Sequence, residues 1–197
     1  IGQQRLFRLK KRWPFKQQII NYSNYVPHES KITAKIANEF VFKHHIWGKA
    51  HEDLAKYYES IMKFSHAARE YEVITKMFPD KEKYFYKLIE NGKKSLLWNV
   101  VEEACITLLK SEPNNAIIQY DLALSQRSLG KLKKSFKNVN QSIESKLLND
   151  KQLAYALFLK ALILIDIKEY DDSKKILNRI NTDYPGLIKV DNILKRL

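Results

Sequence analysis

His44, His45 and His51 fall within eight residues, and imidazoles gathered this closely are the first place to look for a metal or a proton-transfer site. Neighbouring His44 and His45 point to different faces of a helix, and Gly48 is expected to interrupt that helix before His51. No cysteine stands nearby to complete a four-ligand set, so surface histidines are the reading and no metal site is expected. Asp166, Glu169, Asp171 and Asp172 crowd carboxylates together, as general acid–base work or a calcium loop requires. They lack the one-three-five ligand order and central glycine of such a loop. Asp171 or Asp172 is therefore assigned to capping the helix that follows, where a negative charge also meets the helix dipole. The single cysteine, Cys105, can form no disulfide within the chain, permits a reducing compartment and reads as a small buried hydrophobe. Gly92 and Gly130 stand singly, so no phosphate-cradling loop is present, and Asn21-Tyr22-Ser23 and Asn140-Gln141-Ser142 match a glycosylation pattern too common to place the chain in a secretory route. No catalytic residue, metal or cofactor is expected.

The elements that would have to position these groups are more legible than the groups themselves. Pro79 and Pro113 are 34 residues apart, and each closes a stretch with the same order of apolar, small and aromatic positions. A unit of that length cannot bury its apolar face alone, so the period predicts helix–turn–helix blocks stacked on one another. The first block places Leu54 and Ala55 on one helix with Tyr58, then Ala67, Tyr71 and Ile74 on the next, then Pro79. The second repeats this skeleton as Leu88, Ile89, Gly92, Val101, Cys105, Leu108 and Pro113. Leu122, Ala123, Ser135, Val139 and Ser142 follow in the third, with Leu147 in place of the proline, and Ala161, Leu164, Ser173, Leu177, Ile180 and Pro185 in the fourth. Pro113 and Pro185 are separated by two periods plus four residues, which asks for a short insertion near 147–152. Lys160 falls where a leucine is expected; either its stem snorkels along the next helix or the helix is shifted and Leu159 takes the place. Small residues such as Ala67 let the paired helices approach closely.

These residues resemble the tetratricopeptide repeat over about 48–187. The resemblance implies an all-α, right-handed solenoid of about four helical hairpins: 48–81, 82–115, 116–149 and 150–187. In that family the first helix of each unit lines a concave groove. The corresponding positions here are Lys49, Glu52, Lys56 and Glu59, then Lys83, Tyr86, Glu90, Lys93 and Lys94. Tyr120, Leu124 and Arg127 come from the third unit, and Tyr155, Phe158, Leu162, Ile165 and Asp166 from the fourth. Such a groove is basic and aromatic in its middle and apolar toward the C-terminus. It suits an extended acidic peptide with one or two large apolar side chains. The asparagines that a chaperone-tail clamp needs are absent from the required places.

Solenoids need terminal caps because an end unit exposes an apolar face. Ile32, Ile36 and Phe40 predict an N-terminal capping helix over 30–47, started by Ser30 and ended by Gly48, and Val190, Ile193, Leu194 and Leu197 a C-terminal one over 188–197. Ahead of these, 1–29 is a different kind of sequence. Arg5, Arg8, Lys10, Lys11, Arg12 and Lys16 precede the first acid, Glu29, in a chain with 35 basic and 22 acidic residues and a net charge of +13. The arm reads as a connector whose aromatics pack on the first helix, as a juxtamembrane segment, or as a nucleic-acid contact through Phe7, Trp13 and Phe15, in that order of preference. No run of 18 uncharged apolar residues occurs. Lys131, Lys133, Lys134 and Lys137 form a second basic run, with no acid from Gly130 to Ile143, at the start of a helix where positive charge opposes the dipole.

His28 followed by Ile36 and Ala37 is similar over some ten residues to the last block of the SGNH hydrolases. Tyr25 stands where that family has its aspartate, Glu29 where it has proline, and no Gly-Asp-Ser block exists, so a triad lacks two members. The expected function is a non-catalytic scaffold for a protein or peptide partner, in the cytoplasm or at the cytosolic face of a membrane. The alternative is the accessory repeat region of a larger, membrane-attached hydrolase or transferase. The chain begins with Ile1 rather than Met, which reads as an excised fragment.

Overall fold

A computed structural model describes residues 46–197. The expected arm at 1–29, most of the capping helix at 30–47, His28, His44 and His45 lie outside the described residues. Nine helices and no strand occur among those described. The chain divides after Ser95 into two compact units.

The first unit holds α1 (Ile46–Ser60), α2 (Phe64–Met77) and α3 (Glu82–Lys94), with α2 packed against both others. Its core is Leu54, Ala55, Ala67, Tyr71, Ile74, Phe85, Leu88 and Ile89. Leu54 and Tyr71 are reached from one helix face each, because apolar residues three and four apart share a side. Gly48 does not end a helix. It lies inside α1 under the Phe78 ring, where an added Cβ would stand 2.3 Å from a ring carbon.

The second unit holds α4 (Trp98–Ser111), α5 (Ala116–Ser128), α6 (Leu132–Glu144), α7 (Asp150–Asp166), α8 (Tyr170–Asp183) and the single turn α9 (Asp191–Leu194). Each packs on the next from α4 to α8, and α5 also touches α7. Asn115 caps α5 by accepting from the Ile117 and Ile118 amides, and Asn149 with Gln152 forms a capping box on α7. Leu177, Ile180 and Val190 close the C-terminal cluster, onto which Ile193, Leu194 and Leu197 fold from the last turn.

The 34-residue period is visible in the helix starts: 64, 98 and 132 for second helices, and 82 and 116 for first helices. The four extra residues make α7 longer, 17 residues against 13 for α5. Two buried serines fix where this turn is added. Ser135 Oγ donates to the Ala123 carbonyl at 2.6 Å and Ser173 Oγ to the Ala161 carbonyl at 3.0 Å, each pair 12 residues apart. The register at Ala161 is therefore unshifted, and α7 gains its turn at the N-terminal end. Lys160 accordingly snorkels, its Nζ 5.5 Å from the centre of the Phe136 ring, while Leu159 is buried between α5 and α6.

Within each repeat the turn between helices is three residues, and its middle residue is left-handed: Met62 (φ 58°), Leu96 (φ 59°), Gly130 (φ 72°) and Lys168 (φ 69°). The amides of Lys63, Lys131 and Glu169 reach back to Tyr58, Gln126 and Leu164, each at 2.8 Å, which is the hydrogen bond that closes a Schellman turn. Only Gly130 adopts this conformation without a Cβ penalty, which elsewhere is about 1–2 kcal/mol.

Candidate binding faces

In the first unit most of the side chains at the expected groove positions are held by neighbouring residues. Lys49 pairs with Asp53 at 3.2 Å, and Lys56 with Glu52 at 2.6 Å. Across to α3, Tyr84 donates its hydroxyl to Glu52 at 2.9 Å and Asn91 donates its amide to Glu59 at 2.7 Å. Lys87 lies between Glu59 and Glu90, at 3.5 Å and 3.3 Å, and Lys94 holds Glu90 at 2.7 Å while resting over Phe64. Lys83 sits over the Tyr84 ring, and Tyr86 is exposed.

Burial pushes the Glu52 carboxyl up, but the Lys56 ammonium and the Tyr84 hydroxyl outweigh it and leave the group below its ordinary value. Glu90 is held low by Lys94 against burial, with help from Lys87. Beneath them Tyr71, 1% exposed, has its phenol pushed up by burial and then by the charge of Glu59. The result is a polar seam in which Lys49, Lys56, Lys87 and Lys94 each lie against a carboxylate.

In the second unit α5 and α7 lie side by side. Tyr120 and Leu124 on α5 rest on Ala123, Val139, Ala156, Leu159 and Ile163, and Phe158 on α7 packs against the C-terminal cluster. All three are half-buried, as are Leu162 and Ile165, and Tyr155 is 40% exposed. Burial, then Asp121 and Tyr155, pushes the Tyr120 phenol up to about 12. At the C-terminal ends of the two helices Arg127 meets Asp166 in a two-pronged pair, Nε to Oδ2 at 2.6 Å and a terminal nitrogen to Oδ1 at 3.2 Å. The row is apolar along its length, with one clamped ion pair at its end.

Several polar groups escaped sequence reasoning. His51 is not a surface residue: it is 7% exposed, and its Nδ1 bonds Glu70. Glu102 is buried, pairs with Lys131, and accepts from Gln126, whose own carbonyl accepts from Asn138 at 2.7 Å. The acids of the C-terminal cluster do not cap by side chain: Glu169 occupies the cap position of α8 without such a bond, and Asp172 binds Lys175. A usable signal did exist for the α1–α3 seam. Tyr84–Glu52 and Asn91–Glu59 share one separation, 32 residues, so an acid paired with a donor two residues short of one period marks a cross-helix bond. Among the described residues no group of three or more His, Cys, Asp or Glu side chains could hold a metal, and no helix is long and apolar enough to cross a membrane.

The fold these helices define is all-α and of the tetratricopeptide-repeat solenoid type. Solved structures that share it include a crystal structure of MamA, 17% identical, with a TM-score of 0.59 over 67% of this chain and 75% of that one. A second MamA structure, residues 41 to the end of the protein from Desulfovibrio magneticus RS-1, is 9% identical with a TM-score of 0.59 over 93% and 97%. YrrB, described as a TPR protein with an unusual peptide-binding site, is 13% identical with a TM-score of 0.56 over 76% and 75%. No protein-family model matches the sequence, and no curated protein gives a significant match.

Proposed function

We propose that the chain is a non-catalytic protein-interaction scaffold that takes an extended peptide along the first helices of its repeats. The observation that carries this reading is the row of half-buried apolar side chains Tyr120, Leu124, Phe158 and Leu162 ending at the Arg127–Asp166 pair. Half-buried aromatic and leucine side chains on rigid helices give contact area at small entropic cost, which is how interface anchors work. The fold is shared with YrrB, whose description includes peptide binding, and this supports the same class of ligand here.

The ligand is an acidic segment with one or two large apolar residues. Its apolar side chains lie over Leu124 and Leu162, and a carboxylate exchanges with Asp166 for the fork of Arg127. Lys49, Glu52, Lys56, Tyr86, Lys93 and Lys94 stand at the corresponding first-helix positions of the first unit. There a ligand carboxylate has to replace an acid already bound, so these residues tune affinity more than they anchor.

Selection from a random peptide library on the whole chain tests the reading. The expected consensus has one or two of Leu, Phe or Trp beside Asp or Glu, and Lys93→Glu with Arg127→Glu weakens the selected peptide at least about tenfold. A consensus without apolar residues, or unchanged affinity in the double variant, places the ligand elsewhere.

A further inference from the structure

The outward side of α6 carries Lys133, Lys134 and Lys137, all exposed. Among the described residues none of the three has an ion-pair partner. Lys131 just before them is bound to Glu102, and Lys175, at the matching place on α8, is bound to Asp172. Other lysines without a described partner, such as Lys110 and Lys151, stand one to a helix face. Lys137 follows Lys133 by four residues and Lys134 by three, the two spacings at which like charges on a helix repel. The first turns of a helix also disfavour positive charge, and the cap residue Lys131 supplies no side-chain acceptor. Asn140 and Gln141 continue the row with neutral hydrogen-bonding groups, and the next acid is Glu144. Sequence in this fold readily places acids there. Asp171 and Asp172 occupy on α8 the places of Lys133 and Lys134, and Glu103 on α4 occupies that of Lys137.

We infer that the outer face of α6 is a second docking surface, for an acidic helix of a protein partner that presents carboxylates three and four residues apart. Three lysines along one helix match that spacing, and the internal repulsion they create is relieved when the partner binds. A nucleic acid or an anionic membrane fits less well. A broad polyanion spreading to the neighbouring repeats meets Glu103 on one and Asp171 and Asp172 on the other, whereas a single helix lying along α6 does not. This surface goes beyond the α5–α7 row and does not depend on it.

The test uses the whole chain and a labelled, alanine-rich peptide of roughly 15 residues with glutamates at every third or fourth place. Anisotropy is read at about 0.05 M and about 0.3 M salt. Lys133→Gln with Lys134→Gln and Lys137→Gln should weaken the peptide about tenfold at low salt. Lys110→Gln with Lys151→Gln and Lys189→Gln removes the same charge and should change it by about twofold or less. The three Lys→Arg changes at 133, 134 and 137 should retain binding, and the thermal midpoint of the Gln variant should equal or exceed that of the parent. Equal losses in the two Gln variants, no loss in the first, or a lowered midpoint overturn the inference. So does selective loss, in the first variant, of a single-stranded oligonucleotide or of phosphatidylserine vesicles with the acidic peptide unaffected.

Discussion

On α1 and α3, Glu52, Glu59 and Glu90 hold Lys56, Lys87 and Lys94, so nearly every charge on that face is answered by a neighbour. On α5 and α7 the equivalent positions carry Tyr120, Leu124, Phe158 and Leu162, with the Arg127–Asp166 pair at their C-terminal ends. The first face gains little by meeting an anion, because each new pair replaces an old one in similar solvent. The second gains whatever apolar area the partner removes from water. A shared repeat thus carries two kinds of surface, and the difference lies in the side chains that the first helices carry.

The comparison breaks most severely at Ile163, fully buried under the α5–α7 row. Ile163→Ala should cost about 2–5 kcal/mol in urea unfolding and take peptide binding with it. On the polar side, Glu59→Ala takes one of the two acceptors of the buried Asn91 amide, leaving its bond to the Lys87 carbonyl, and removes one partner of Lys87, for a loss of about 1–3 kcal/mol by the same measurement. Acid should separate the two faces further. Glu52 and Glu90 have depressed carboxyl values, so the stability they contribute is full above the unfolded-state value and is lost as pH falls through the folded one. Hydrogen exchange in α1 and α3 should accelerate, beyond its intrinsic pH dependence, on going below about pH 4. Unchanged protection there would mean the seam is not held by those pairs. The smallest effect is at the turns. Met62→Gly should be neutral or gain up to about 1 kcal/mol by relieving a left-handed Cβ, while Gly130→Ala should lose about as much, both read as thermal midpoints.

Fold legibility was uneven for physical reasons. The apolar skeleton repeats because each position faces another helix, so Leu54, Ala67, Leu122 and Leu177 announced the hairpins. The Pro113–Pro185 interval already placed Ala161 and an insertion near 147–152, but the choice between a snorkelling Lys160 and a shifted helix needed the Ser173 bond to the Ala161 carbonyl, since a helix lengthened by one turn keeps its apolar stripe. Gly48 was misread because a glycine that ends a helix and one that admits a ring look alike in sequence. The lysines were read as a basic lining because charge shows in composition, whereas pairing depends on which carboxylate the neighbouring helix brings within reach. His51 and Glu102 were missed for the same reason: their partners are 19 and 29 residues away.

The most direct test of the account compares one library-selected peptide against two variants of the whole chain. If the apolar row anchors the ligand, Leu162→Asp should weaken binding by about a hundredfold, while Lys56→Gln with Lys94→Gln should stay within about threefold. The reverse order, with the lysine variant losing the peptide and Leu162→Asp keeping it, would contradict the account.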